Sequence, residues 1–331
     1  MEFVTLIAES PYNDPWYNIA LEEAMLHQLQ QGQVVLYLWQ NQHTVVIGRN
    51  QNAWKECRCQ LLEEEGGKLA RRMSGGGAVY HDLGNLNFTF LLGRHQYDLA
   101  KQLQVILNAL AGVGIQAEFS GRNDLTVLGR KFSGNAYYYY RDSALHHGTI
   151  LVNADFAQAG RYLQPSKQKM QSKGVESVGS RVINLAELVP GLSIAQVKEQ
   201  LIKSFVSLYG GNGTELDLAP LLEEADALHE HYSSWEWRYG KTPAFALSYE
   251  TRFSWGELTV GLGVKNGHIV DAVVYSDALQ YTLTDHVRSA LLQTPFESSA
   301  IAQALEGISA GDAAPYVKDV KHWLVTQVKS A

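Results

Sequence analysis

Two cysteines, Cys57 and Cys59, are all that the 331 residues contain. They are too few for a disulfide framework and stand one residue apart, so a reducing cytoplasm is the expected location. No stretch of about 18 apolar residues is present to span a bilayer. Met1-Glu2-Phe3-Val4 lacks the basic start and apolar run of a secretory signal. A basic surplus is missing as well: 27 Lys and Arg face 34 Asp and Glu, for a formal charge of −7. That balance disfavours a general polyanion binder, so contacts with phosphate must come from a few placed residues. A nucleotide is expected as partner; nucleic acid and membrane are not.

The composition, 46% hydrophobic and 18% charged, is that of a folded globular chain. Its length exceeds what one hydrophobic core usually serves, which predicts two domains. Asp14-Pro15 supplies an N-cap and a first-turn proline, and Trp16, Ile19, Ala20, Ala24 and His27 follow at helical spacing. Residues 34–39, 44–47, 68–72, 87–92 and 146–152 read as strands, with further strands around Ala117, Leu125 and Tyr138. Residues 54–65 read as one charged helix and 97–110 as an amphipathic one. Most connections are too short for parallel crossovers, so the expectation is an α+β fold with a largely antiparallel sheet. Beyond the aromatic run 235–239 and Pro243, Asn266-Gly267 marks a hairpin between strands near 258–265 and 268–275, and helices follow. We place a catalytic domain at 1–245 and a small α+β C-terminal domain at 249–331.

Three segments carry chemistry. The first is Arg71-Arg72-Met73-Ser74-Gly75-Gly76-Gly77-Ala78-Val79-Tyr80-His81-Asp82. Its glycines let backbone N–H groups approach an anion, with the arginines adding charge. It is neither a P-loop nor the spaced dinucleotide fingerprint, and the glycines alone favour a plain turn between strands with a solvated arginine pair. The second segment runs from Gly121-Arg122-Asn123-Asp124 to Gly129-Arg130-Lys131-Phe132-Ser133-Gly134. Here Lys131 can bring an ammonium to a reacting centre, and Asp124 can hold Mg²⁺ or orient the lysine. In the third, His146 and His147 adjoin on a strand, so at most one of them meets a given pocket. No second ligand cluster suggests a shared metal.

Together, RRxSGGGAVxHDxGNxNFTF, GRNDL, GRKxSGxA and the His146-His147-Gly148-Thr149 segment closely resemble lipoate–protein ligase A. The likeness spans about residues 3–245 and continues more weakly beyond. It implies a catalytic domain of the class II synthetase and biotin-ligase type, with ATP and Mg²⁺ as cosubstrate and cofactor. It further implies that Arg72, Gly77, Ala78, Val79 and Tyr80 bind ATP, with Asn123 and Asp124 near the nucleotide and Mg²⁺. Lys131 would touch both the acyl carboxylate and the α-phosphate, and so is the catalytic candidate. His81 and His147 would line the lipoate pocket, with Ser74, Trp39 and Glu23 as further candidates. The implied acceptors are lipoyl domains of 2-oxoacid dehydrogenase E2 subunits and the glycine-cleavage H protein. Lys167, Lys169, Lys173 and Arg181 form a basic stretch suited to an acidic domain. Octanoate is an expected alternative acid, because apolar pockets discriminate weakly.

Tyrosines 137–140 precede Arg141, so an arginine contact common in the family is not carried over. An octanoyltransferase, which shares the fold and commonly uses a cysteine nucleophile, is the nearest rival. A biotin ligase is disfavoured, because its Gly-Arg-Gly-Arg loop is absent. A carrier-docking protein that keeps the fold without turnover is the non-enzymatic alternative.

Overall fold

The computed structural model describes residues 4–120, 123–164, 181–239, 247–265, 267–308 and 310–329. They form two compact units: residues 1–47, 56–72 and 78–238, and residues 48–55, 73–77 and 239–331.

The first unit is built on an eight-stranded sheet. Strand β1 (Val4–Glu9) leads into helix α1 (Pro15–Gln28) and then β2 (Gln33–Trp39). Asp14 caps α1, its carboxylate accepting from the N–H groups of Trp16 and Tyr17, and Pro15 occupies the first turn. The α1 crossover makes β1 and β2 parallel. Strands β3 (Thr44–Ile47), β4 (Lys68–Arg71) and β5 (Val79–His81) form a separate small sheet in the order β4-β3-β5. The main sheet continues with β6 (Asn85–Gly93), β7 (Glu118–Phe119), β8 (Asp124–Val127), β9 (Arg130–Tyr140), β10 (Ser143–Leu151) and β11 (Thr214–Glu215). Its order is β11-β1-β2-β6-β10-β9-β8-β7, with every pairing from β2 to β7 antiparallel. The α+β class expected from short connections is what folds.

Side-chain alternation gives this sheet two faces. Leu36, Leu38, Phe88, Phe90, Leu92, Ala144 and Ile150 point into the main core, packed by α4 (Leu99–Ala111) and α6 (Ile194–Tyr209). Burying each large apolar side chain there contributes roughly 1.5–3 kcal/mol. Helix α5 (Phe156–Tyr162) lies between these two in sequence. The opposite face presents Tyr37, Trp39, Asn87, Thr89, His147 and Thr149, which are adjacent in register. Helix α1 covers part of it and is flanked by α7 (Leu222–Ser233).

One expected element is split. Residues 54–65 do not form a single helix: α2 (Ala53–Glu56) stops, Cys57 bridges to Leu163, and α3 (Cys59–Glu64) begins after it. Arg58 N–H donates to Tyr162 O at 2.8 Å and Gln164 N–H to Glu56 O at 2.8 Å, so strand-like bonds to the end of α5 displace the helical ones.

In the second unit, α8 (Trp235–Arg238) of the first unit having ended, β12 (Leu247–Phe253), β13 (Gly256–Lys265) and β14 (His268–Ser276) form an antiparallel meander. It packs on α9 (Leu283–Leu291), α10 (Ser298–Glu306) and α11 (Ala314–Lys329) around Leu258, Val260, Leu262, Val287 and Leu324. Gly267 has φ +74°, as the predicted turn requires; Asn266 lies outside the described residues. Two N-terminal excursions belong to this unit. Ser276 N–H donates to Asn50 O, Arg49 N–H to Ser74 O, and Gly76 N–H to Ala278 O at 3.1 Å.

The glycine run therefore has a packing role of its own. A Cβ on Gly75 would lie 2.2 Å from Ala278 O, and Gly76 has φ +93°, whereas a Cβ on Gly77 meets nothing within 4 Å. Gly75→Ala is expected to destabilise the second unit by about 1–3 kcal/mol, and Gly77→Ala by less than about 0.5 kcal/mol. Urea unfolding followed by circular dichroism measures both; equal effects would show that contact with Ala278 does not explain the glycine at 75.

Candidate active site

Lys131 is positioned by a bulge. Across β8 and β9, Leu125 pairs with Ser133 but Thr126 pairs with Lys131, so Phe132 is an extra residue on β9. The bulge re-aims Lys131 along the strand. Its Nζ lies 2.7 Å from Asp124 Oδ1, and a Cβ on Gly134, the residue opposite Asp124, would be 2.9 Å from it. Gly134 is thus the floor over which the ammonium passes. The far side of the Lys131 backbone is clamped: Ile183 N–H donates to Lys131 O at 2.9 Å, and the Arg130 guanidinium holds Val182 O. The pair is about one-third exposed, which leaves the ammonium open to a ligand while Asp124 fixes its place.

From Gly134 a polar row runs across the sheet. Thr149 Oγ1 accepts from Gly134 N–H at 3.2 Å, Asn87 pairs with Thr149, and Trp39 pairs with Asn87. The Trp39 ring meets that of His81 edge-on, with centroids 6.3 Å apart. One level along the strands sits a fully buried carboxylate, Glu22 of α1. It accepts from Thr89 Oγ1 at 2.6 Å and lies 2.9 Å from His147 Nδ1, while Trp39 Nε1 donates to Thr89 Oγ1 at 3.0 Å. Burying a carboxylate costs several kcal/mol unless such partners replace water.

Arg72 is buried beside this group. Burial lowers its guanidinium to about 10, opposed by attraction to Glu22, so it stays charged at neutral pH. His81 is pushed down to about 3, first by burial and then by the charge of Arg72 and by His147. The sheet face thus gathers one ammonium, one guanidinium and several neutral donors.

The other expected residues are distributed as follows. His146 points the opposite way from His147, into the core, with Nδ1 2.8 Å from Gln102 Oε1 and Nε2 2.9 Å from Asn135 Oδ1. Asn123 stands on β9's neighbour strand end, its carbonyl accepting from Asn135 N–H at 2.9 Å. Tyr80 packs against Tyr162 and His43, away from His81, while Ala78 and Val79 begin β5. Glu23 turns to Tyr232 and His27, apart from the Trp39–Thr89–Glu22–His147 group. Ser74 and Gly77 belong to the second unit.

Tyr137 and Tyr139 lie on the core face of β9, and Tyr140 stacks near His27 on the other. Gly121, Arg122, Lys167, Lys169 and Lys173 fall outside the described residues, and Arg181 just inside them. Among the described residues, no three His, Cys, Asp or Glu side chains are grouped to hold a metal ion. No described helix is long and apolar enough to cross a membrane.

Sequence reasoning missed Glu22, Asn87 and Asn41. The signal for Glu22 was present: it shares the spacing of Asn18, Ile19, Met25 and Leu26, a charge set in an apolar stripe.

The buried histidines couple stability to pH. Burial also holds His146 down to about 3 from its ordinary 6.5. Between those values the unfolded chain binds the proton and the folded chain does not, so stability falls as pH drops from 6.5 towards 3. The slope is up to about 1.4 kcal/mol per pH unit for each such histidine. His146→Gln is expected to flatten the dependence of unfolding free energy on pH between 6 and 4 by up to one proton. Urea midpoints across that range test it, and an unchanged slope would mean that His146 is charged in the native state.

Comparison with known proteins gives this arrangement its context. The family model described as lipoyl protein ligase A/B catalytic domain matches residues 14–206, and bacterial lipoate protein ligase C-terminus matches residues 242–322. The solved structure of LipL1 from P. falciparum, in complex with lipoate, is 30% identical with a TM-score of 0.85, over 98% of this chain and 99% of that one. A bipartite lipoate protein ligase from Thermoplasma acidophilum, studied with its E2 lipoyl domain, is 28% identical with a TM-score of 0.64, over 75% and 100%. A lipoate-protein ligase A bound with ATP is 27% identical with a TM-score of 0.62, over 72% and 99%. With matching catalytic and C-terminal domains and this likeness along nearly its whole length, the chain belongs to the lipoate–protein ligase family and is a ligase.

Proposed function

We propose that the protein activates lipoate with ATP to lipoyl-AMP, releasing pyrophosphate, and then transfers the lipoyl group to a lysine of a carrier domain. The observation that carries this reading is the Lys131 ammonium, held by Asp124 over Gly134 at the end of a polar row. A carboxylate attacking an α-phosphate brings two anions together, and the barrier falls where fixed positive charge meets both. Lys131 is the group that touches both reacting anions. Arg72, kept charged though buried, adds a second cation for the nucleotide, and Ala78, Val79, Tyr80 and Asn123 are its further proposed contacts. The lipoate-bound and ATP-bound relatives support the two substrates.

His81, His147 and Trp39 line the acid's pocket in this reading, and Glu22 takes the place proposed for Glu23. Glu22 accepts the His147 and Thr89 hydrogens and so fixes that wall. In the second step the carrier lysine attacks the acyl carbonyl and AMP leaves, without a protein nucleophile. Both cysteines are buried, and Cys59 Sγ donates to Cys57 O at 3.4 Å, which weighs against thiol-based octanoyl transfer.

Mg²⁺ suits the donor set as a companion of ATP, since it commonly takes one or two carboxylates and fills its shell with phosphate oxygens and water. Asp124 would hold it, and when bound the ion would neutralise phosphate charge. Lipoyl domains of 2-oxoacid dehydrogenase E2 subunits and the H protein are the proposed acceptors; the archaeal relative studied with its E2 lipoyl domain supports the first. Octanoate is proposed as a second acid, because each CH₂ buried in an apolar slot contributes about 0.8 kcal/mol in either case.

Incubation with a lipoyl domain, Mg²⁺-ATP and lipoate is expected to add one lipoyl group to the domain by intact mass, and nothing without ATP. Acylation from an octanoyl carrier without ATP would replace this reading with octanoyl transfer. Lys131→Ala is expected to lower turnover at least about 10²-fold with the fold intact; near-normal turnover would remove Lys131 from the mechanism.

A further inference from the structure

On the core side of the first unit's sheet, a chain of hydrogen bonds can run in only one direction. It ends on the carbonyl of Asn123, the residue before Asp124. That oxygen accepts from Asn135 N–H at 2.9 Å and from Asn135 Nδ2 at 3.0 Å. A carbonyl cannot donate, so the Asn135 amide has one orientation: turned over, it would press Oδ1 against the Asn123 oxygen. Its Oδ1 therefore faces His146 Nε2, at 2.9 Å, and Nε2 carries the ring proton. Burial holds His146 down to about 3, so the ring is neutral at ordinary pH and Nδ1 is an acceptor.

Gln102 of α4 meets the other side of the ring. With its Oε1 towards His146 Nδ1, two acceptors would face each other at 2.8 Å and the buried Nε2 would have no partner. Turning this amide over places Nε2 at Nδ1 and Oε1 towards the hydroxyl of Tyr209, the last residue of α6, which contacts the Gln102 side chain. One rotation thus replaces a repulsion and an orphaned donor with two hydrogen bonds. The order is then Tyr209, Gln102, His146, Asn135 and Asn123, each donor pointing to the next acceptor. Gln102, His146 and Asn135 are all buried, so a missing link would leave a polar atom unsatisfied.

The Asn123 end matters because of what it holds. Asn123 Nδ2 returns a bond to Asn135 O at 3.3 Å, and Asp124 O accepts from the N–H and Oγ of Ser120, both at 2.9 Å. The backbone is pinned on both sides of Asp124, whose carboxylate lies 2.7 Å from Lys131 Nζ. Outside β8 the sheet has only the two residues of β7, so little else supports this corner from without. The chain supports it from within, by tying it to α4 and α6.

We propose that Asn135, His146 and Gln102 are positioning residues for the ligase reaction: their one-way chain holds the Asn123–Asp124 corner, and through it the Lys131 ammonium, in place for the nucleotide. The inference rests on the roles proposed above for Asp124 and Lys131.

Lipoate-dependent exchange of pyrophosphate into ATP by the full chain tests it. His146→Leu breaks the chain at its centre and is expected to raise KM for Mg²⁺-ATP at least about 3-fold, the order of one lost hydrogen bond. Lipoate, held mainly by its apolar tail, is expected to keep its KM within about 2-fold. His146→Gln retains a donor for Asn135 and an acceptor for Gln102, and should restore the wild-type values. A folded His146→Leu with unchanged KM for Mg²⁺-ATP would overturn the proposal, as would an equal loss for both substrates or a His146→Gln as impaired as His146→Leu. Should His146→Leu fail to fold, Asn135→Ala makes the cut next to Asn123 and must show the same selective rise. Nitrogen-15 spectra give a separate readout: the imidazole signals absent from His146→Gln are expected to be those of an Nε2–H tautomer at neutral pH. An Nδ1–H tautomer or an imidazolium would refute the direction of the chain. A wild type without lipoate-dependent exchange would instead sink the parent reading, and the role of the chain with it.

Discussion

A carboxylate with no exposed surface anchors the first unit of this protein. Glu22 reaches from α1 onto the sheet, where Thr89 of β6 and His147 of β10 satisfy it and Trp39 of β2 follows through Thr89. Three adjacent strands and a helix are thereby tied to one buried charge. Such a charge is tolerated only when its partners are in place, so helix position, strand register and ring orientation become mutually dependent. Arg72 is the nearby cation that makes the burial electrically bearable, and its own charge helps keep His81 neutral.

Around that anchor the chemistry is divided between charged and uncharged groups. Lys131 is mobile by nature, a long stem ending in an ammonium, and three local features restrict it: the bulge at Phe132, the carboxylate of Asp124 and the missing side chain of Gly134. Entropy that a free lysine would lose on meeting a ligand has been lost already in the folded protein. The histidines show the complementary device. His146, between Phe88 and Phe90 in the core, has both ring nitrogens engaged and ties β10 to β9 and α4. The neighbouring His147 faces the other side of the sheet, towards Glu22.

The glycine run combines two requirements that its sequence does not separate. Gly75 is small because the Ala278 carbonyl approaches it, and Gly76 because its backbone is left-handed. Gly77 stands clear of neighbours that a Cβ would meet. A loop that looks uniformly designed for a ligand is thus partly a packing element of the C-terminal unit.

Most strands of the first 152 residues, the capped start of α1 and the hairpin at Gly267 were legible in the sequence, because each depends on residues a few positions apart. So were the nearness of Asp124 to Lys131 and the motifs that mark the family. The phase of α1 was not: Glu22 and Glu23 are neighbours in sequence but 100° apart on a helix, and only the sheet beneath decides which is buried. Alternation separated His146 from His147, yet which faces the core follows from where α4 and α6 pack. The helix expected at 54–65 broke because residues 162–164, a hundred positions away, offered Cys57 and Arg58 better partners. Local chemistry was written in the sequence; which side of each element it served was decided by burial.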